Sequence, residues 1–321
     1  MSDSIIKMPM SKRLFVPCYH GLFAGLKSAF LIACVMVPVS LAVIFLDHLG
    51  VLSLVSAVMT PFMKLIGLSG KASLVFLASI LFNIYGAIAV INVFPLTLHE
   101  ITILSLMCLL AHNLVIETAL MKKTKSSAFK MVIIRLTAAC ALAWVLNLLV
   151  PGKSVTTLVT GIDLEQESFL GSLPIWGVSM GILLAKITLL VVCIKIGQKL
   201  MEEFKLLAYL SRLLSPFMKI FGLARENTDL WVVMNAVSYA SCAALVSTRI
   251  KSGTMKPQEA DLLNHHASMM HSLVKDTLPF MLIGVALFWL VIPRFIMALC
   301  LVWIERIRRS MFKRSFRIGT K

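Results

Sequence analysis

The stretch Thr60-Pro61-Phe62-Met63-Lys64-Leu65-Ile66-Gly67-Leu68 returns 155 residues later as Ser215-Pro216-Phe217-Met218-Lys219-Ile220-Phe221-Gly222-Leu223. A second match follows in the same order. His112-Asn113-Leu114-Val115-Ile116-Glu117-Thr118 pairs with His271-Ser272-Leu273-Val274-Lys275-Asp276-Thr277, 159 residues apart, and Glu100 pairs with Glu259 at that spacing. Upstream, Gly21-x-x-x-Gly25 and Gly177-x-x-x-Gly181 begin the first helix of each half. Internal repeats are read before local features because they set the architecture. Ordered matches with so little drift mark the chain as a duplication.

What is duplicated follows from composition. Of 321 residues, 59% are hydrophobic and only 14% charged, and the mean hydropathy is +0.92. Soluble domains carry about 25% charged residues, so this chain cannot cover a water-facing surface. A soluble enzyme, a disordered chain and a disulfide-stapled secreted module are excluded, and a multi-spanning membrane protein remains. The net charge of +16 does not point to nucleic acid. The basic residues cluster at the ends of apolar runs, in 122–130, 249–256 and 306–321, which is how membrane proteins mark their cytoplasmic side. The seven cysteines show no Cys-x-x-Cys spacing and read as free thiols.

Strand alternation is absent and the apolar runs approach the 20 residues that a helical span needs, so the fold class expected is an all-α membrane bundle. Strong spans are expected at about 22–47, 72–94, 98–121, 130–150, 172–200, 229–249, 258–278 and 279–304. The stretches 51–68 and 206–223 are shorter and interrupted by Pro61 and Pro216, which remove backbone donors and are expected as helix breaks. The expected organisation is a basic segment over 1–21, a first repeat over 22–150, an acidic extracytoplasmic linker over 151–171, a second repeat over 172–305 and a basic cytoplasmic tail over 306–321. If both proline stretches cross, each half makes five passes and the basic segments 122–130, 249–256 and 306–321 fall on one side. Five is odd, so the second repeat is then inverted relative to the first, as in many secondary transporters.

Asn83-Ile84-Tyr85-Gly86-Ala87-Ile88-Ala89, followed by Ala111-His112-Asn113-Leu114-Val115-Ile116-Glu117-Thr118-Ala119, resembles the nucleoside-recognition or Gate domain membrane proteins. Related domains occur in ferrous-iron transporter B, in spore maturation proteins A and B, and in concentrative nucleoside transporters. The resemblance covers about 22–304 as two Gate units, and the family name implies nucleosides. It carries no established catalytic set. No GTPase domain accompanies it: Leu65 and Ala72 stand where a phosphate loop over 65–72 needs glycine and Ser/Thr.

Ionisable groups inside a span are costly and mark functional positions. The candidate path residues are Asn83, His112, Asn113, Glu117, Ser238, Ser241, His271, Ser272 and Asp276. Asn264, Ser268, His271/Ser272 and Lys275 recur at helical spacing and form one expected polar stripe. The alternative to a path is interhelical pairing, His112 with Asp276 and Glu117 with Lys275 or His271, worth about 0.6–2 kcal/mol each. Resident metal and cofactors are not expected, since no His-Glu-x-x-His occurs, although a divalent cation passing His112 and His271 is a further alternative. The expected function is a secondary transporter of a small polar solute, such as a nucleoside, in the bacterial inner (cytoplasmic) membrane. A non-transporting scaffold or partner subunit is the alternative from another class, and an enzyme is not expected. Expected partners are the bilayer, the solute or ion and, through the Gly-x-x-x-Gly pairs, a second copy or another membrane protein.

Overall fold

The computed structural model describes residues 9–151, 158–160 and 168–318, with the side chains of 158–160 and 312–318 left aside. The regular structure of the described residues is helical, apart from a short antiparallel strand pair between β1 (Leu96–Thr97) and β2 (Leu158–Thr160). Among the described residues, five helical segments are long and apolar enough to cross a membrane: Met10–His48, Leu98–Lys123, Ala128–Leu149, Phe169–Glu203 and Leu287–Met311. Most of the expected linker over 151–171 lies outside the described residues.

The first helix, α1 (Met10–His48), starts twelve residues before the expected span and takes in much of the basic N-terminal segment. It packs against α8 (Phe169–Glu203) as an antiparallel pair. Gly21 faces Ile196 and Gly25 faces Val192 at one end, while Trp176 Nε1 donates to Ser40 Oγ at the other (3.1 Å). A Cβ on Gly21 or Gly25 would sit 2.5–2.6 Å from the facing Cα atoms, so these glycines exist for close backbone approach. Gly177 and Gly181 have open space at the Cβ position. The first glycine pair is thus used inside the chain and the second is not.

Two short helices follow the long ones: α2 (Val51–Leu65) after α1 and α9 (Leu206–Leu214) after α8. Pro61 is not a break, because α2 runs through it to Leu65. Pro216 sits in a 3-10 turn, Ser215–Lys219, that continues from α9. Both elements present an exposed apolar stripe, through Val51, Leu54, Val58, Phe62 and Leu65 in one and Leu206, Tyr209, Leu213, Phe217 and Ile220 in the other. In water such stripes would drive association; on a membrane protein they are the surface that lipid covers.

The breaks lie elsewhere, inside four of the spans expected to be continuous. The stretch 72–94 divides into α3 (Ala72–Leu81) and α4 (Ile84–Ile91). The stretch 98–121 divides into α5 (Leu98–Ala111) and α6 (Leu114–Lys123), followed by α7 (Ala128–Leu149). In the second half, 229–249 becomes α10 (Thr228–Ala236) and α11 (Tyr239–Lys251), and 258–278 becomes α12 (Pro257–Met269) and α13 (Leu273–Leu282). A half-helix of ten residues is only about 15 Å long, half of a bilayer core. The last helix, α14 (Leu287–Ile318), begins later than expected and continues through the basic tail.

The core is centred on α5, where twelve residues from His99 to Ala111 are buried. An apolar helix with no polar face is enclosed on all sides. The outer helices do the reverse: Phe30, Phe129, Leu170 and Leu189 point outward and are strongly exposed. α5 starts at a capping box in which Glu100 N–H donates to Thr97 Oγ1 (3.2 Å) and Thr97 N–H donates to Glu100 Oε2 (3.1 Å), which satisfies two orphan donors at the helix start.

Candidate functional site

The four breaks meet near the centre of the bundle, and they come as two similar pairs. At the first pair the backbone turns at Phe82 (φ −109°, ψ −88°) and Val237 (φ −110°, ψ −77°) and then extends through Asn83 and Ser238. Asn83 Oδ1 accepts from the N–H groups of Tyr85 (2.9 Å) and Gly86 (3.1 Å), and Ser238 Oγ accepts from Ser241 N–H (3.1 Å). These are N-caps, and they let a new helix start inside an apolar run. The carbonyls that end α10 are also satisfied, because Gln198 Nε2 donates to those of Ala236 (3.1 Å) and Val237 (3.3 Å).

At the second pair, Asn113 (φ 49°) and Ser272 (φ 49°) adopt the left-handed conformation. Their N–H groups donate to the carbonyls of Ser79 (2.8 Å) and Met234 (2.9 Å). The carbonyls freed at these breaks are held by two arginines with no exposed surface, Arg135 from α7 and Arg294 from α14. Arg135 donates to the carbonyls of Leu110 (2.7 Å) and His112 (2.8 Å), and Arg294 to those of Met269 (3.1 Å) and His271 (2.9 Å). Each guanidinium fork thus takes over orphan carbonyls that no helix end can satisfy by itself. The two arginines lie 159 residues apart, the spacing of His112 and His271.

Between these breaks lies a buried charge cluster. Glu117 Oε1 is 3.2 Å from His112 Nε2 and 3.1 Å from His271 Nε2, and Glu117 Oε2 is 2.7 Å from Arg135. Asp276 reaches His112 Nε2 (3.4 Å) through Oδ2 and Lys275 Nζ (3.3 Å) through Oδ1. Each histidine places Nδ1 on the carbonyl four residues earlier, His112 on Cys108 (3.0 Å) and His271 on Ala267 (2.6 Å). A carbonyl only accepts, so both rings carry their proton on Nδ1 and turn Nε2 to the carboxylates. The two contacts that interhelical glue would use, His112 with Asp276 (3.4 Å) and Glu117 with His271 (3.1 Å), are both present.

A cavity of about 310 Å³ opens against this cluster, lined on its polar side by Asn83, Tyr85, His112, Asn113, Glu117 and Asp276 with Lys275. Leu31, Ile32 and Val35 of α1 form its apolar wall. Five of the nine expected path residues thus line one cavity. His271 stands behind Glu117, and Ser272 contributes its backbone turn. Ser238 and Ser241 are not among the residues lining this cavity; their hydroxyls bond each other (2.8 Å) at the α11 cap. The expected stripe through Asn264, Ser268, His271 and Lys275 is corrected, since the helix that would align them ends at Met269. Asn264 instead accepts from Tyr239 Oη (2.9 Å) and donates to Thr124 and Ser126 (2.8 Å each). Arg135 and Arg294 were absent from the expected site, although two arginines in apolar runs at the repeat spacing could have signalled them.

Residues 29–143, spanning most of α1 through most of α7, match the Gate family, described as nucleoside recognition. The chain is a multi-pass membrane protein with a stretch similar to the Gate family. It is 26% identical over 286 residues to the uncharacterized membrane protein YvoD of Bacillus subtilis (strain 168), an alignment covering 88% of this chain and 91% of that protein. No solved structure matches.

Proposed function

We propose that the chain is a carrier of the bacterial inner membrane that moves a small polar solute through the cavity at Glu117, with nucleosides the first class to test. The observation that carries this reading is the placement of the cavity, which brings buried ionisable side chains and two helix breaks together inside an apolar bundle. Its volume lies at the lower end of small-molecule pockets, about 300–1,000 Å³. Discontinuous helices at related places in two halves are the feature that most favours a transport site. The Gate description, nucleoside recognition, supplies the solute class.

An inverted duplication fits this reading. Counting each broken pair as one passage, α1, α2, α3–α4, α5–α6 and α7 make five in the first half, and α8, α9, α10–α11, α12–α13 and α14 make five in the second. The antiparallel packing of α1 on α8 and the shared spacing of Asn83 with Ser238 and of Arg135 with Arg294 support it. The pairing of both histidines with carboxylates favours a second reading, a scaffold whose cluster only holds helices together. Ligand-dependent stabilisation separates the two. A nucleoside at one hundred times its dissociation constant adds about 2.7 kcal/mol, a shift that Glu117→Gln removes if the carrier reading is right. No shift with any nucleoside, nucleobase or small anion leaves the scaffold.

A further inference from the structure

Three atoms in the cluster face one another in an arrangement that needs a positive charge among them. His112 Nε2, His271 Nε2 and Glu117 Oε1 lie within 4.8 Å of each other, and all three residues are buried. With both Nδ1 protons committed to carbonyls, each Nε2 is a lone pair in the neutral ring. They therefore point negative density at a carboxylate oxygen. Arg135 does not relieve this, because it pairs with the other oxygen, Oε2. Asp276 Oδ2, buried 3.4 Å from the same Nε2 of His112, accepts no hydrogen bond among the described residues.

We propose that Nε2 of His112, Nε2 of His271 and Oε1 of Glu117 bind a divalent transition-metal cation of the Zn²⁺ or Co²⁺ kind, with the fourth position open toward Asp276 and the cavity. The distances fit a metal held between the three atoms. Charge-assisted N–H to carboxylate bonds are about 2.7–2.9 Å long; Arg135 with Glu117 and Lys130 with Glu305 are 2.7 Å, and Lys275 with Asp276 is 3.3 Å. The histidine contacts are 3.1, 3.2 and 3.4 Å. Two ligands bound at about 2.0–2.1 Å in a tetrahedron stand about 3.3–3.4 Å apart. Carbonyl-held Nδ1 atoms are also how metal-ligating histidines are oriented. Lys275 opposes the ion, since it pairs with Asp276 and adds a positive charge beside it. The other cluster of this composition, Asp261, His265 and Glu305, is already paired with Lys130, Arg308 and Arg309.

The inference deepens the carrier reading by naming an ion for its site, and equilibrium binding tests it without any transport. The full chain in detergent micelles is titrated with Co²⁺, followed by visible absorption and by metal content after dialysis. The expected result is one tetrahedral Co²⁺ per chain, displaced by Zn²⁺. His112→Gln and His271→Gln should each weaken binding by more than the about 10–100-fold typical of losing an outer-shell partner. Lys275→Gln should tighten it at least about tenfold by removing a nearby charge, and His265→Gln should leave it unchanged. The absence of saturable Co²⁺ or Zn²⁺ binding to the wild-type chain overturns the proposal whether or not any variant folds. So does binding that survives both histidine substitutions, or a melting temperature that responds to pH and to no metal, which would assign the site to a proton. Metal binding without a nucleoside shift would sink the nucleoside assignment alone.

Discussion

Replacing Arg135 by Met should destabilise the protein far more than replacing Arg294 by Met, although the two arginines do the same backbone work. Each holds two carbonyls at a helix break, and hydrogen bonds to charged groups contribute about 1.5–3 kcal/mol each. That loss is common to both variants. The difference is Glu117, 2.7 Å from Arg135; among the described residues no carboxylate lies at ion-pair distance from Arg294. Removing one partner of a buried pair costs about 3–5 kcal/mol, because the other charge is left uncompensated. Protonation of His112 or His271, both in contact with Glu117, takes up part of that charge, which places the excess near the lower end. Against a total stability of about 5–15 kcal/mol, Arg135→Met leaves little margin. The assay is equilibrium unfolding of the detergent-purified protein by SDS titration, followed by far-UV circular dichroism. In a Glu117→Gln background the excess should shrink to within about 1 kcal/mol, since removing both partners is far cheaper than removing one. Equal destabilisation by the two substitutions in the wild-type background, or an excess that persists with Glu117→Gln, would refute the assignment of Arg135 as the counter-charge.

Three further outcomes are expected. Gly25→Leu should cost about 1–3 kcal/mol or more by overpacking, because its Cβ would lie 2.6 Å from the Val192 Cα, while Gly181→Leu, with open space, should stay within about 0.5 kcal/mol; melting curves of the two compare them directly. Asn83→Ala should lose about 0.5–2 kcal/mol of N-cap stabilisation, with Asn83→Asp losing less, read from the same SDS titration. Asn113→Val should cost about 1–3 kcal/mol through its left-handed backbone and Asn113→Gly should not, which the thermal midpoints will show.

The membrane class and the helical fold were legible in the apolar runs, because hydropathy reports burial in lipid whatever the helix does locally. The four breaks were not. Asn83 and Ser238 sit among residues that favour helix, and the chain departs from helix there only because a side-chain oxygen caps the next start. The left-handed turns at Asn113 and Ser272 depend on arginines from α7 and α14, which no local window contains. Pro61 misled for the converse reason: a proline removes one donor, and α2 continues through the loss. Glu117, His112 and Asp276 were found because an ionised group in an apolar run is conspicuous. Arg135 and Arg294 were equally conspicuous by residue type, yet they lie in helices away from the matched motifs and were passed over.

The most direct test of the carrier reading is uptake of radiolabelled nucleosides into liposomes holding the purified protein, with Glu117→Gln as its partner sample. Uptake that saturates with the wild type and disappears with a folded, equally reconstituted Glu117→Gln variant is the predicted result. Uptake unchanged by Glu117→Gln would take the cavity out of the path. No uptake of any nucleoside or other small polar solute by the wild-type protein would contradict the carrier reading itself.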